Sequence, residues 1–224
     1  MSEKVKKKKT LLQKILIGVA IFMAAVIFIV GSYVAYVFIA FHRLGDYDVT
    51  PGGTANLLTA TVGTDYSVVS YNVGFGAYEV DYDFFMDGGT QSWAKSKDGL
   101  IKNLENITDL LKAQNADMYL LQEIDYDSTR TYHVDEREYF INALENKSYT
   151  FAQNYDSPFL FYPFYQPHGA SKSGIMVFSP FKINSAKRIE LPIETGVTRI
   201  IDYDRCYVKN RVSVSNGKEL IIYT

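Results

Sequence analysis

The hydrophobic pattern changes character several times along the chain, and each change predicts a different element. From Ile15 to Phe41 no residue is charged. A run of about 27 residues exceeds the ~20 that a helix needs to span a bilayer. Tyr33 and Tyr36 lie near its far end, where aromatic rings favour the interface. After it, Arg43 to Tyr66 is rich in Gly, Thr and Asp and reads as a linker or an extended entry segment. "YSVVSYNVGFG" is a β-branched run that ends in Asn and Gly, the mark of a strand feeding a loop. In "SKDGLIKNLENITDLLKAQNAD" the apolar residues Leu100, Ile101, Leu104, Ile107, Leu110 and Leu111 recur at helix spacing. Asn115 and Ala116 end that helix, and "MYLLQEI" is a second strand.

An acidic-polar loop, "DYDSTRTYHVDER", comes next, then a short helix over roughly Arg137 to Asn146. "YTFAQNY" predicts a strand, "SPFLFYPFYQPHGASKSG" an aromatic loop, and "GIMVFS" and "INSAKRIELP" two more strands. "DYDRCYVKNRVSV" and "ELIIYT" flank Asn216-Gly217, the strongest short hairpin signal. The order strand, helix, strand, helix, strands predicts a layered α/β arrangement. Residues 1–14 are expected to form a basic tail, 15–41 a transmembrane helix, 42–64 a linker and 65–224 the folded domain. The chain stops at Thr224 inside a strand-like run, which suggests a fragment.

Charge sharpens the picture of the front end. Lys4, Lys6, Lys7, Lys8, Lys9 and Lys14 precede the apolar run. The positive-inside rule therefore puts the N-terminus in the cytoplasm and the domain outside it. A cleaved signal peptide would have a shorter apolar region, about 7–15 residues. Setting aside those lysines and Glu3 leaves 17 basic and 24 acidic residues. That balance is a poor match for a protein that grips nucleic acid through its whole surface. Cys206 is the single cysteine, so one chain can build neither a disulfide framework nor a cysteine-based zinc site.

Candidate chemistry gathers where two strands end. In a strand–helix–strand crossover the strands are parallel, and their carboxyl ends meet at one sheet edge. Asn72 and Glu123 stand at those ends, where α/β folds place their sites. A carboxylate and an amide oxygen are hard ligands that suit Mg²⁺. Asp125, Asp127 and Arg130 follow. They read either as a solvated loop with a local salt bridge or as the lining of a phosphate pocket, with Arg130 forking onto a phosphate oxygen. His133 reads as a solvent-exposed histidine. His168 and Lys172 lie just before a predicted strand, as candidate substrate contacts or ordinary loop residues. "FLFYPFY", Phe159 to Tyr165, reads as core or loop packing, a substrate platform or a lipid-facing lip. Arg205 with Asp202 and Asp204 reads as a structural ion pair, and Cys206 as a buried small residue.

On these motifs the chain resembles the endonuclease/exonuclease/phosphatase superfamily, which includes deoxyribonuclease-like nucleases, abasic-site endonucleases, sphingomyelinases and inositol-polyphosphate phosphatases. "VVSYNVGFG" is similar to its first motif and "ADMYLLQEID" to its second, with Glu123 at the metal-binding position. "SKSGIMVFSPF" and "ELIIYT" resemble two later strands. The resemblance covers about 160 residues, Asp65 to Thr224. It implies a layered β-sandwich flanked by helices, four layers when whole and partial here. It also implies a hydrolase that uses Mg²⁺ (or Mn²⁺) held by Glu123 and Asn72. The substrate would be a phosphoester: a phospholipid headgroup, a phosphorylated small molecule or a nucleic acid. The family's catalytic His, its Gly-Asp-x-Asn motif and its Asp-His pair are not in these 224 residues, so the chain by itself is expected to hydrolyse little or nothing. A catalytically silent, membrane-anchored binding module on the same fold is the alternative. The lipid bilayer is the partner expected of the N-terminal helix.

Overall fold

The computed structural model describes residues 9–192, 196 and 204–224. It divides into two units, Met1–Phe41 and His42–Thr224. The first unit is helix α1, Leu11–Ala40, which starts four residues before the predicted span. Thr10 caps it, with Gln13 completing a reciprocal capping box. Its 30 residues have no buried side chain. At 1.5 Å per residue they measure about 45 Å, more than a bilayer's hydrocarbon core. By length and composition this helix can cross a membrane; a signal sequence meets the same description. Most of the lysine cluster lies outside the described residues.

The second unit is α/β. Its strands are β1 (Tyr47–Val49), β2 (Gly52–Gly53), β3 (Val68–Asn72), β4 (Met118–Asp125), β5 (Ser148–Leu160), β6 (Gly169–Ser179), β7 (Ile183–Glu190), β8 (Cys206–Ser213) and β9 (Glu219–Tyr223). Helix α2 (Lys97–Gln114) joins β3 to β4, and α3 (Glu136–Ala143) precedes β5. Five strands form one sheet in the order β2-β5-β6-β4-β3, and four form another, β1-β7-β8-β9. As predicted, β3 and β4 pair in parallel, with Asn72 opposite Gln122.

Alternation along the central strands decides the layering. In β4, Met118 and Leu120 join a core shared by both sheets, with Val177, Ile183, Val208 and Val212. Tyr119 and Leu121 point the other way, into a core with Leu100, Leu104 and Leu111 of α2 and Phe140 of α3. The same split recurs in β6, with Ile175 and Val177 on one face and Met176 and Phe178 on the other. Both faces of these strands are therefore buried, and the described residues form three layers: helices, five-stranded sheet, four-stranded sheet.

Three sequence expectations change. The segment 42–64 is not only a linker: β1 pairs with β7 and β2 with β5, so it supplies an edge strand to each sheet. Fully buried Arg188 holds this segment by donating to the carbonyls of Leu44 (2.7 Å) and Gly45 (2.8 Å), and also to those of Gln153 (2.9 Å) and Asp204 (2.7 Å). The aromatic loop is shorter than expected, because β5 continues to Leu160 and β6 begins at Gly169, each pairing the other. Strand β8 begins at Cys206, so Asp204 and Arg205 precede it as irregular chain, and Asp202 and Tyr203 of the predicted strand lie outside the described residues.

Candidate functional site

The parallel crossover carries Asn72 and Glu123 to one sheet edge. Asn72 Nδ2 donates to Glu123 Oε1 at 2.9 Å, and Asn72 Oδ1 accepts from the Gly74 N–H at 2.8 Å. The second bond fixes which way the amide faces, since a flipped amide would set NH₂ against N–H. Asn72 thus orients the carboxylate, and among the described residues no hydrogen bond reaches Glu123 Oε2.

The backbone at both residues is unusual. Gly74, Phe75 and Gly76 after Asn72 take left-handed conformations (φ 59°, 40° and 59°). A Cβ on Gly76 would meet Leu100 at 2.6 Å, so the second glycine lets this turn close on α2. Glu123 has φ 57°, rare for a residue with a side chain, and sits where the β4–β6 register shifts between Leu121 and Ile124. Such a bulge re-aims a side chain, and strained backbone of this kind collects at functional sites.

Glu123 lines two clefts. The first, about 560 Å³, is bounded by Asn72, Gly74, Tyr78, Asn103 and Asn106. Tyr78 donates to Asp87 at 3.2 Å, and burial, then the Asp87 carboxylate, pushes its phenol up to about 12. It therefore remains a hydrogen-bond donor at neutral pH. The second cleft, about 490 Å³, lies between the ends of the two sheets. Gln122, Asn154 and Ser173 bound it on one side, Arg205 and Thr224 on the other, and Arg130 reaches its wall.

The charges behind Glu123 divide into buried and exposed sets. Asp125 is fully buried and Arg130 is 3% exposed. They form a two-pronged pair, Nε to Oδ2 and Nη2 to Oδ1, both 2.8 Å. The guanidinium also lies 3.7 Å from the centre of the Phe75 ring. Glu136 is fully buried beside them, accepting from the Asp125 N–H at 3.0 Å through Oε2, while Oε1 has no hydrogen-bond partner. Burial, then the Asp125 carboxylate, holds its carboxyl well above the usual range. Asp125 cannot touch a substrate as the sequence reading allowed: both of its oxygens are spent on Arg130, and it has no exposed surface. The local salt bridge of the alternative reading is the one that forms, inside the protein rather than in solvent.

His168 is likewise buried, next to the Phe84 and Phe85 rings, with Nδ1 3.3 Å from Ser92 O and Nε2 3.3 Å from Ser171 Oγ. Burial, then Arg130, lowers its pKa to about 4. It is a neutral core histidine and not a substrate contact. Asp127 is exposed and Lys172 half-buried: Asp127 is 2.7 Å from His133 Nδ1 and 4.0 Å from Lys172 Nζ. Neither residue lines a cleft with Glu123. Among the described residues no three His, Cys, Asp or Glu side chains gather as a metal cluster.

Several polar residues of the clefts, Asn103, Asn106, Asn154 and Ser173 among them, were not singled out from sequence as site residues. Asn103 and Asn106 carry a legible signal, two amides three apart on α2 and off its leucine stripe. Asn154 and Ser173 carry none, because their position depends on the bulged pairing of β5, β6 and β4. No protein-family model, no curated protein and no solved structure matches the chain.

Proposed function

We propose that the chain belongs to a membrane-anchored, divalent-metal-dependent phosphoester hydrolase of the deoxyribonuclease-like fold, with its folded unit outside the cytoplasm. The observation that carries the reading is the Asn72–Glu123 pair at the ends of two parallel strands, with Glu123 held in a left-handed conformation at a bulge. The face-to-face sheets with helices on one outer side support the fold, and α1 with the lysines before it supports the anchor and its direction.

The donor set fits a hard divalent cation. Mg²⁺ takes one or two carboxylates and otherwise waters and substrate oxygens, and Glu123 offers one carboxylate with a free Oε2. Asn72 serves as the outer residue that orients this ligand. A bound Mg²⁺ or Mn²⁺ would supply Lewis-acid polarisation of a phosphoryl oxygen. Arg205 on the wall of the second cleft favours an anionic ester, while Asn154 and Ser173 offer hydrogen bonds to its oxygens and Arg130 is committed to Asp125.

The test is Mg²⁺ binding by calorimetry together with hydrolysis of bis(p-nitrophenyl) phosphate by protein made from its complete reading frame. Glu123→Gln should weaken the metal at least about tenfold and remove chelator-sensitive hydrolysis, with Asn72→Ala intermediate. Unchanged binding and turnover in Glu123→Gln would refute the site. Ligand binding without turnover in the wild type would favour the silent binding module.

A further inference from the structure

The loop from Phe161 to His168 displays aromatic rings that a soluble surface would be expected to bury. Phe164 is 85% exposed, Tyr165 70% and Tyr162 62%. No residue from Ser157 to Pro167 carries a charge. The rings do not hang on a loose strand. Trp93 Nε1 donates to Pro167 O at 2.8 Å, Ser92 Oγ to Gln166 O at 2.7 Å, and the Tyr165 hydroxyl to Thr90 O. Tyr162 packs against Phe85 at 5.9 Å, and the residue after Phe85, Met86, is itself exposed. The loop is thus a fastened platform with its apolar rings turned outward. Contiguous exposed apolar surface of this kind marks an interaction site.

The chain itself supplies the argument for the occupant. Six residues, 41–46, separate the end of α1 from β1. About 20 Å of chain at full extension separates the end of α1 from the folded unit. Tyrosine and phenylalanine with a polar rim are side chains that settle at the headgroup boundary. We propose that loop 161–168 is an interfacial membrane contact, with Tyr162, Phe164 and Tyr165 entering the headgroup region. The proposal rests on the anchoring half of the function above and is independent of its metal chemistry.

The test uses the full chain in phosphatidylcholine nanodiscs, with Cys206→Ser removing the native thiol. An environment-sensitive fluorophore is attached at Phe164→Cys, at Ile27→Cys in α1, or at Lys218→Cys on the β8–β9 turn, and shallow spin-labelled lipid is the quencher. The label at 164 should be quenched at least about twofold more than the label at 218. Tyr162→Ser with Tyr165→Ser should reduce that excess, showing that the neighbouring rings and not the dye cause the contact. Equal quenching at 164 and 218 would overturn the proposal. So would shielding at 164 that appears in lipid-free detergent and grows with protein concentration, the sign of a second copy covering the loop. The label at 27 lies near the middle of α1 and is read with a lipid spin-labelled deep in its acyl chain: if it is unquenched, the anchoring reading fails, and the result at 164 still decides the loop.

Discussion

Replacing Arg130 with Met should destabilise the folded unit far more than loss of a surface charge would. The guanidinium makes two 2.8 Å bonds to a carboxylate with no exposed surface and lies on the Phe75 ring. Methionine preserves much of the apolar contact but leaves Asp125 buried without its partner and close to Glu136. Breaking one side of such a pair costs about 3–5 kcal/mol. For a unit of about 180 residues, at roughly 3 °C per kcal/mol, that lowers Tm by about 10–15 °C. The single tryptophan, Trp93, is a convenient reporter, since it packs on Tyr132 at 5.5 Å and its neighbour Ala94 donates to Arg130 O at 2.9 Å. Urea titration of the detergent-solubilised chain, followed by its fluorescence, measures the loss. Asp125→Asn should also be costly, and the double variant should cost at least about 2 kcal/mol less than the sum of the two. A cost below about 1 kcal/mol for Arg130→Met, as for an exposed pair, would refute the reasoning, and so would simple additivity. Intact stability with lost phosphoester binding would instead make Arg130 a substrate residue.

Other outcomes follow from the same packing. Glu136 has a folded pKa raised above the ordinary 4.5, so its contribution is fully present below that value and is lost as pH rises toward the folded one. Glu136→Gln should therefore gain stability over wild type as pH rises above 4.5, by an increment that grows with pH toward the folded value; parallel pH–stability curves would contradict this. His168 is the opposite case: its pKa falls from 6.5 to about 4, so its contribution is present above pH 6.5 and is lost as pH falls toward 4, on the order of 3 kcal/mol. His168→Phe should flatten that part of the wild-type curve. Arg188→Met removes the donors to four carbonyls and should cost about 3–5 kcal/mol, with faster amide exchange through residues 42–53; Arg188→Lys should restore little, because an ammonium cannot span the same carbonyls. Unchanged exchange there would show that the clamp is not needed.

The sequence by itself determined what depends on local period and chain order. A long uncharged apolar run is long enough to cross a membrane as a helix. The leucine stripe of α2 and the parallel β3–α2–β4 crossover were legible, and with them the meeting of Asn72 and Glu123, because a crossover forces both strand ends to one edge. The hairpin at Asn216-Gly217 was legible from its turn residues. What the tertiary structure decided was partnership. Asp125, Asp127 and Arg130 look alike in a charged loop, yet one aspartate is sealed against the arginine and the other faces water, because residues on a strand alternate between faces only until a bulge intervenes. The bulge at Glu123 has no sequence signature of its own; it exists because β4 must keep pairing β6 while its last residues turn. Residues 47–53 were too short and too polar to read as strands, and they become strands only because the edges of β7 and β5, about 100 residues and more away, accept their hydrogen bonds. Period and order are written in neighbouring residues, whereas the partner of a charge or of an edge is set by segments that meet only after folding.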